Sequence, residues 1–315
     1  MSSTFTVTLL QTIRIFMFVA VGYLFNKAHI LPKSGGDVVS KLAIDLFNPM
    51  LTIYTFSQQC TLEKLRGSSS YILYGALIFG LGVFLSHIMT PLFSKEPSQR
   101  GVYRYALGMP NTGTFRTPLL LALYGTEGYF VGSLFNIAAT ILTYTWGILQ
   151  FKTGPHHKSV GYILKKLVNP NTVALVIGAL LGLTNSVRYI PDIVMENIAL
   201  LGDGYVPMAL FAVGMFVADY HMGEIMPSAR TLIFTLWRMI LLPILMILMM
   251  KSIKAPAMAI ILTALSFSCP CGMYAVLFPA ANGESTQTGV NMVVFSSIMA
   301  VVIIPLIYSF TCGIL

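Results

Sequence analysis

The chain has 315 residues, of which 56% are hydrophobic and only 10% are charged, and its mean hydropathy is +0.78. An ordinary soluble domain carries about 25% charged residues, so this composition excludes a soluble globular protein, a disordered chain, a disulfide scaffold and a coiled coil. The net charge of +8 comes mostly from lysines and arginines between apolar runs, where they set membrane orientation and do not indicate nucleic-acid binding.

Ten apolar runs are long enough to cross a membrane as helices, since a span needs roughly 20 apolar residues. They are residues 5–25, 38–58, 71–93, 100–124, 128–151, 169–187, 192–219, 228–250, 255–282 and 286–314. The first run is expected to be a span and not a signal peptide, because no basic segment precedes it. The predicted fold class is therefore an all-α polytopic membrane protein with ten transmembrane helices.

Basic residues are unevenly divided between the loops on the two sides. Loops after odd-numbered spans, with adjoining residues, hold eleven lysines and arginines, and loops after even-numbered spans hold five. The positive-inside rule then places the odd loops in the cytoplasm and both termini outside. The most basic connection, residues 152–168 with His156 and His157, is interpreted as a topology signal that meets anionic lipid. A regulatory or pH-sensing role of the histidine pair is the alternative.

Helix breakers recur along the chain at a nearly constant offset of 158 to 160 residues. The pairs are Gly22 and Gly182, Pro32 and Pro191, Asp45 and Asp203, Pro49 and Pro207, Pro110 and Pro270, and Gly125 and Gly283. Each half, residues 1–151 and 169–315, holds five spans, so the second copy enters the membrane from the opposite side. The sequence thus predicts an inverted-topology repeat, a common architecture of secondary transporters.

Spans 4 and 9 contain proline and glycine among small and hydroxyl residues, at corresponding places in the repeat. Proline removes a backbone donor and kinks a helix, and such a break is tolerated in a membrane where it lines protein or a cavity. We predict a midplane site here, in which half-helix N-termini offer N–H groups to an anion. Ordinary kinks satisfied by neighbouring hydroxyls are the alternative. The predicted binding residues are Pro110, Asn111, Thr112, Gly113, Arg116, Pro118, Ser268, Cys269, Pro270, Cys271 and Gly272.

Two kinds of charged residue within spans bear on this site. Arg116 contacts a substrate anion, pairs permanently with an acid, or snorkels to the interface. Arg238, in span 8, raises the same question, and structural pairing is favoured there. Asp45 and Asp203 each stand four residues before a proline. They carry a coupling proton if burial raises their pKa, or they pair with a base or lie near the interface.

Several motifs together resemble the auxin efflux carrier family over essentially the whole chain. They are Pro110-Asn111-Thr112, Thr117-Pro118-Leu119-Leu120, Leu123-Tyr124-Gly125, Asn169-Pro170, Val206-Pro207 with Gly214, Pro270-Cys271-Gly272 through Phe278, and Pro305. The resemblance implies ten helices as two inverted repeats, external termini, and broken helices 4 and 9 crossing in a transport domain. It also implies a scaffold of helices 1, 2, 6 and 7, often dimeric, and alternating access of an elevator or rocking kind.

Family substrates are organic anions, namely indole acids in plant members and malate or malonate in some bacterial ones. The chain departs from the plant pattern at Arg116, Cys271 and Ala275, and its 5–6 loop is short, so it resembles a bacterial member in the plasma membrane. We therefore predict a secondary active transporter of a mono- or dicarboxylate, coupled to H⁺. A Na⁺-coupled carrier and a channel or sensor are alternatives. An enzyme, a cofactor and a metal site are not expected, because the sequence contains none of their motifs.

Overall fold

The computed structural model describes residues 2–32, 35–151, 161, 165, 167–219 and 229–315. Most of the predicted basic loop, including His156 and His157, lies outside these residues. Within them the chain is helical and contains a single isolated β-bridge. The α-helices are α1 Ser2–Lys27, α2 Gly35–Leu42, α3 Asn48–Gln59, α4 Leu62–Ser68, α5 Ser70–Phe93, α6 Pro97–Gly108, α7 Thr117–Leu142, α8 Pro170–Leu183, α9 Asp192–Asp203, α10 Tyr205–Ala218, α11 Ala229–Leu236, α12 Leu242–Ser252, α13 Ala257–Ser268, α14 Tyr274–Ala281 and α15 Gln287–Ile314.

Six helical segments of the described part are long and apolar enough to cross a membrane. They are Leu9–Lys27, Leu62–Phe93, Thr112–Gln150, Asp192–Ala218, Ala229–Ser252 and Gln287–Ile314. The apolar helices α8 and α13 are shorter, and α13 ends where the sequence predicts an interruption of span 9. These findings make the chain a polytopic helical protein, while the count of ten spans stays a prediction.

Three of the interruptions in these helices are π turns that lie immediately before an X-Pro pair. The π turns Ala43–Phe47, Thr112–Arg116 and Trp237–Leu241 are followed by Asn48-Pro49, Thr117-Pro118 and Leu242-Pro243. Proline has no N–H and its ring collides with the carbonyl four residues earlier. A wider π turn places that carbonyl differently, and such turns are frequent at functional sites. The prolines therefore account for the local geometry of all three segments.

Close backbone contacts join α1 to α10 and α3 to α8. A Cβ atom on Gly22 of α1 would lie 2.1 Å from the carbonyl oxygen of Phe211 in α10. A Cβ atom on Gly182 of α8 would lie 2.6 Å from the carbonyl oxygen of Phe56 in α3. Only glycine permits either approach, and these two glycines form one of the pairs that the repeat predicts.

The chain reverses at two further paired glycines. Gly125, inside α7, has φ +61° and non-helical ψ, and divides α7 into two helical parts. Gly283, between α14 and α15, has φ +67°. Residues other than glycine rarely adopt this left-handed backbone. The predicted boundary between spans 4 and 5, at residues 124–128, coincides with the first reversal.

The interior of the described part is apolar, with two exceptions among charged residues. Every residue from Ala259 to Ser268 in α13 is buried, whereas α1 leaves many large apolar side chains exposed. Arg116 and Arg238 are the charged side chains buried in this part of the chain, at 3% and 0% exposure. Because a buried charge needs a partner or a ligand, these two arginines lead to the candidate site.

Candidate functional site

The helix breaks predicted in spans 4 and 9 are present, and they pair with each other. The first break, Met109–Asn111, follows α6, and the second, Cys269–Met273, follows α13. Pro110 and Cys271 form an antiparallel bridge. The Asn111 N–H donates to the Pro270 carbonyl at 2.9 Å, and the Gly272 N–H donates to the Met109 carbonyl at 3.0 Å. We call the two paired breaks the crossover.

Arg238 lies in the π turn Trp237–Leu241 and contacts both breaks. Its Nε donates to the Ala106 carbonyl at 3.0 Å, and its two Nη atoms donate to the carbonyls of Cys269 and Pro270, the latter at 3.1 Å. In a regular helix the Ala106 carbonyl would accept from residue 110, but Pro110 has no N–H. Arg238 therefore satisfies carbonyl groups that the breaks leave without helical partners.

Arg116 lies at the end of the π turn Thr112–Arg116, directly after the first break. Its Nη1 donates to the Ser266 hydroxyl at 2.9 Å and its Nη2 to the Gly132 carbonyl at 3.2 Å, while its Nε has no partner. None of these contacts is with a carboxylate, so within the described residues Arg116 has no acid partner. Its burial also excludes snorkelling in this structure. Anion contact by Arg116 stays a prediction.

Arg116 faces a cavity of about 340 Å³ between the two halves of the chain. The wall comes from α3, the π turn Thr112–Arg116, α7, α8, α10 and Leu167, which precedes α8. Its polar residues are Asn48, Thr52, Gly113, Arg116, Thr117, Tyr129, Ser133, Asn136, Thr140, Asn171, Thr172 and Tyr205, and its apolar residues are Ile137, Ile141, Leu167 and Leu175. Such a cavity, lined among the described residues by one cation with neutral hydroxyls and amides, suits a small polar anion.

A hydrogen-bond network holds the wall of this cavity that α3, α7 and α8 form. The Thr52 hydroxyl lies 2.9 Å from the Tyr129 hydroxyl and 2.9 Å from Asn171 Oδ1. Tyr129 also donates to Asn48 Oδ1 at 3.2 Å. Asn169 caps α8 by accepting from the N–H groups of Asn171 and Thr172 at 3.1 Å. The network fixes polar side chains from both halves around one space.

Of the predicted binding residues, only Gly113 and Arg116 line the cavity. The other nine are buried in or beside the crossover. Thr112 contributes indirectly, because its hydroxyl donates to Asn136 Oδ1 at 2.9 Å and so orients a lining amide. The Asn111 Nδ2 and the Ser268 hydroxyl are buried, and the described residues give them no hydrogen-bond partner.

Asp45 and Asp203, the predicted coupling residues, are both exposed and neither lines the cavity. Asp45 lies in the π turn Ala43–Phe47, and Asp203 lies at the end of α9. In both cases the position four residues before a proline lies at a helix distortion. Neither carboxylate faces the cavity beside Arg116.

Sequence reasoning missed most of the opposite wall, notably Thr52, Tyr129, Ser133, Asn171 and Tyr205. One signal was available for Asn171, because Asn169-Pro170 marks a helix start and places position 171 in its first turn. Thr52 lies one helical turn after Asn48 in the same span. The other residues carry no signal, since isolated hydroxyls are common on packed transmembrane helices.

A family of known proteins matches almost the whole length of the chain. The family model described as membrane transport protein matches residues 7–308 of the chain. The comparison with curated proteins gives no match. The family match covers both halves, the crossover and every residue of the cavity wall, and it is a family of transporters. The chain therefore belongs to the membrane transport protein family, also called the auxin efflux carrier family, and is a multi-pass membrane protein.

Proposed function

We propose that the protein is a secondary active transporter that binds a small organic anion in the cavity beside Arg116. The observation that carries this proposal is the buried guanidinium of Arg116, which faces the cavity and has no carboxylate partner among the described residues. An uncompensated charge in a membrane protein is costly and marks a functional site. A substrate carboxylate would supply the missing negative charge and accept from the guanidinium.

The charge of the wall favours a monocarboxylate within the carboxylate class. Within the described part of the lining Arg116 is the cation, and the remaining polar groups are neutral hydroxyls and amides. A second carboxylate would lose its hydration without gaining a counter-ion, which is unfavourable in a confined site. Neutral polar groups on the substrate would instead hydrogen-bond to the network around Thr52.

The paired contacts support the inverted repeat as the basis of alternating access. Gly22 and Gly182 make equivalent close approaches, and Gly125 and Gly283 make equivalent reversals. We propose that α1, α3, α8 and α10 form the scaffold and that the crossover belongs to the moving part. A homodimer through the scaffold, a plasma-membrane location and external termini complete the proposal.

The test is uptake into proteoliposomes from a panel of radiolabelled anions. The panel contains matched mono- and dicarboxylates and indole-3-acetate, each with and without a pH gradient. We expect saturable uptake of one monocarboxylate and stimulation of its uptake by unlabelled substrate inside the vesicle, which a channel does not give. A well-folded protein that moves no carboxylate would refute the proposal, and non-saturable flux without counterflow would favour a channel.

A further inference from the structure

We infer that Arg238 is a built-in cation of the crossover, and that it occupies the place where a Na⁺-coupled carrier would bind its ion. Transport by this protein is then independent of Na⁺. The inference rests on the proposed transport function for its flux measurement, but its stability measurement does not require transport.

The two helix ends at the crossover carry negative partial charge. The C-terminus of α6 and the C-terminus of α13 meet at the crossover, at Gly108 and Ser268. Each helix C-terminus is equivalent to roughly half a negative elementary charge. Two such ends together carry about one negative elementary charge by the same estimate, and the guanidinium of Arg238 donates to carbonyls at both of them.

The backbone carbonyl oxygen atoms at the crossover are already bound by Arg238. In carriers with broken helices, unwound backbone carbonyls and half-helix C-termini coordinate Na⁺. Here three carbonyls at the breaks, those of Ala106, Cys269 and Pro270, all accept from Arg238. Arg238 is fully buried, and all three of its nitrogen atoms are used. The carbonyl cluster that would hold a metal ion already holds an organic cation.

The two buried arginines differ in their hydrogen-bond partners. Arg238 donates to three carbonyls at the negative helix ends, whereas Arg116 donates to one carbonyl and one hydroxyl and keeps a free Nε. No carboxylate acts on either side chain among the described residues. The charge of Arg238 is therefore matched by helix dipoles, and the charge of Arg116 remains for the substrate. Arg238 is a positioning residue that holds the breaks together.

The wild-type protein gives the first arm of the test. Initial uptake rates and the melting temperature in detergent are measured in Na⁺, Li⁺, K⁺ and choline chloride at equal ionic strength. We expect no acceleration by an inward Na⁺ gradient and the same melting temperature in all four salts. Uptake driven by the Na⁺ gradient, or stabilisation by Na⁺ over choline, would overturn the inference. If no carboxylate is transported at all, the proposed function fails while the stability comparison still decides this point.

The second arm uses Arg238→Met, which keeps an apolar stem and removes the cation. Without its cation the carbonyl cluster should bind a small metal ion, so Na⁺ or Li⁺ should raise the melting temperature of the variant over choline by roughly 2–4 °C. Arg14→Met, which removes an exposed arginine, is the control and should show no cation effect. A folded Arg238→Met protein with wild-type flux and no cation effect would also overturn the inference. If the variant does not fold, the wild-type arm decides alone.

Discussion

Replacing Arg116 by glutamine should weaken substrate binding and, at the same time, stabilise the empty protein. A hydrogen bond to a charged group contributes roughly 1.5–3 kcal/mol, which corresponds to about a 10- to 150-fold rise in the half-saturation concentration. Glutamine keeps a donor for the Ser266 hydroxyl or the Gly132 carbonyl. It also removes a buried charge that has no counter-ion among the described residues, and burying such a charge lowers stability.

Two assays on one preparation measure this prediction. Half-saturation is taken from substrate counterflow in proteoliposomes, and the melting temperature from scanning fluorimetry in detergent without substrate. Arg14→Gln removes one positive charge from an exposed site in α1 and should change neither quantity. Arg116→Lys keeps the charge as a point donor and should fall between wild type and Arg116→Gln in affinity. A lower melting temperature with unchanged half-saturation would show that Arg116 is structural, and would refute the reasoning.

Three other changes test separate parts of the structure. Gly125→Ala should lower stability by roughly 1–3 kcal/mol through backbone strain alone, since nothing lies within 4 Å of its missing Cβ. Gly80→Ala, equally open but helical, is the control, and equal melting temperatures of the two variants would contradict the reversal at Gly125. Thr52→Val should raise the half-saturation concentration about fivefold, the effect of about 1 kcal/mol for a lost neutral hydrogen bond. An unchanged half-saturation concentration in counterflow would show that the hydrogen-bond network around Thr52 does not contact the substrate. The proton-coupling hypothesis predicts that Asp45→Asn or Asp203→Asn abolishes the response to a pH gradient while counterflow persists; retained responses in both variants would reject it.

The crossover could be predicted from the sequence because its cause is local. Pro110 and Pro270 remove backbone donors whatever surrounds them, and the glycines beside them permit close approach. The constant offset of the breakers then indicates which two breaks correspond. The same holds for Gly125, because a left-handed backbone is a property of one residue. The backbone pairing of the breaks follows these positions, since each break exposes N–H and carbonyl groups that the other can satisfy.

The cavity could not be predicted because its wall depends on contacts between distant helices. Arg116 contacts Ser266, 150 residues later in the chain, and the choice between anion contact and ion pairing depends on what α13 presents there. Thr52 and Asn171 meet for the same reason, through the packing of α3 on α8. The positions of Asp45 and Asp203 are a further example, since a spacing from proline places a residue at a distortion without fixing which way its side chain points.

The two buried arginines show how one crossover can keep a fixed structure and still offer a site for an anion. The breaks create negative helix ends, and beside them the Asn111 Nδ2 and the Ser268 hydroxyl have no hydrogen-bond partner among the described residues. Arg238 satisfies the negative ends with three carbonyl contacts, so the crossover holds together without a substrate. Arg116 stands where the helix resumes, next to the cavity, and its charge is not matched by the protein that surrounds it in the described part of the chain. A substrate anion would therefore bind to a charge that is already in position, and its departure would leave the backbone pairing intact.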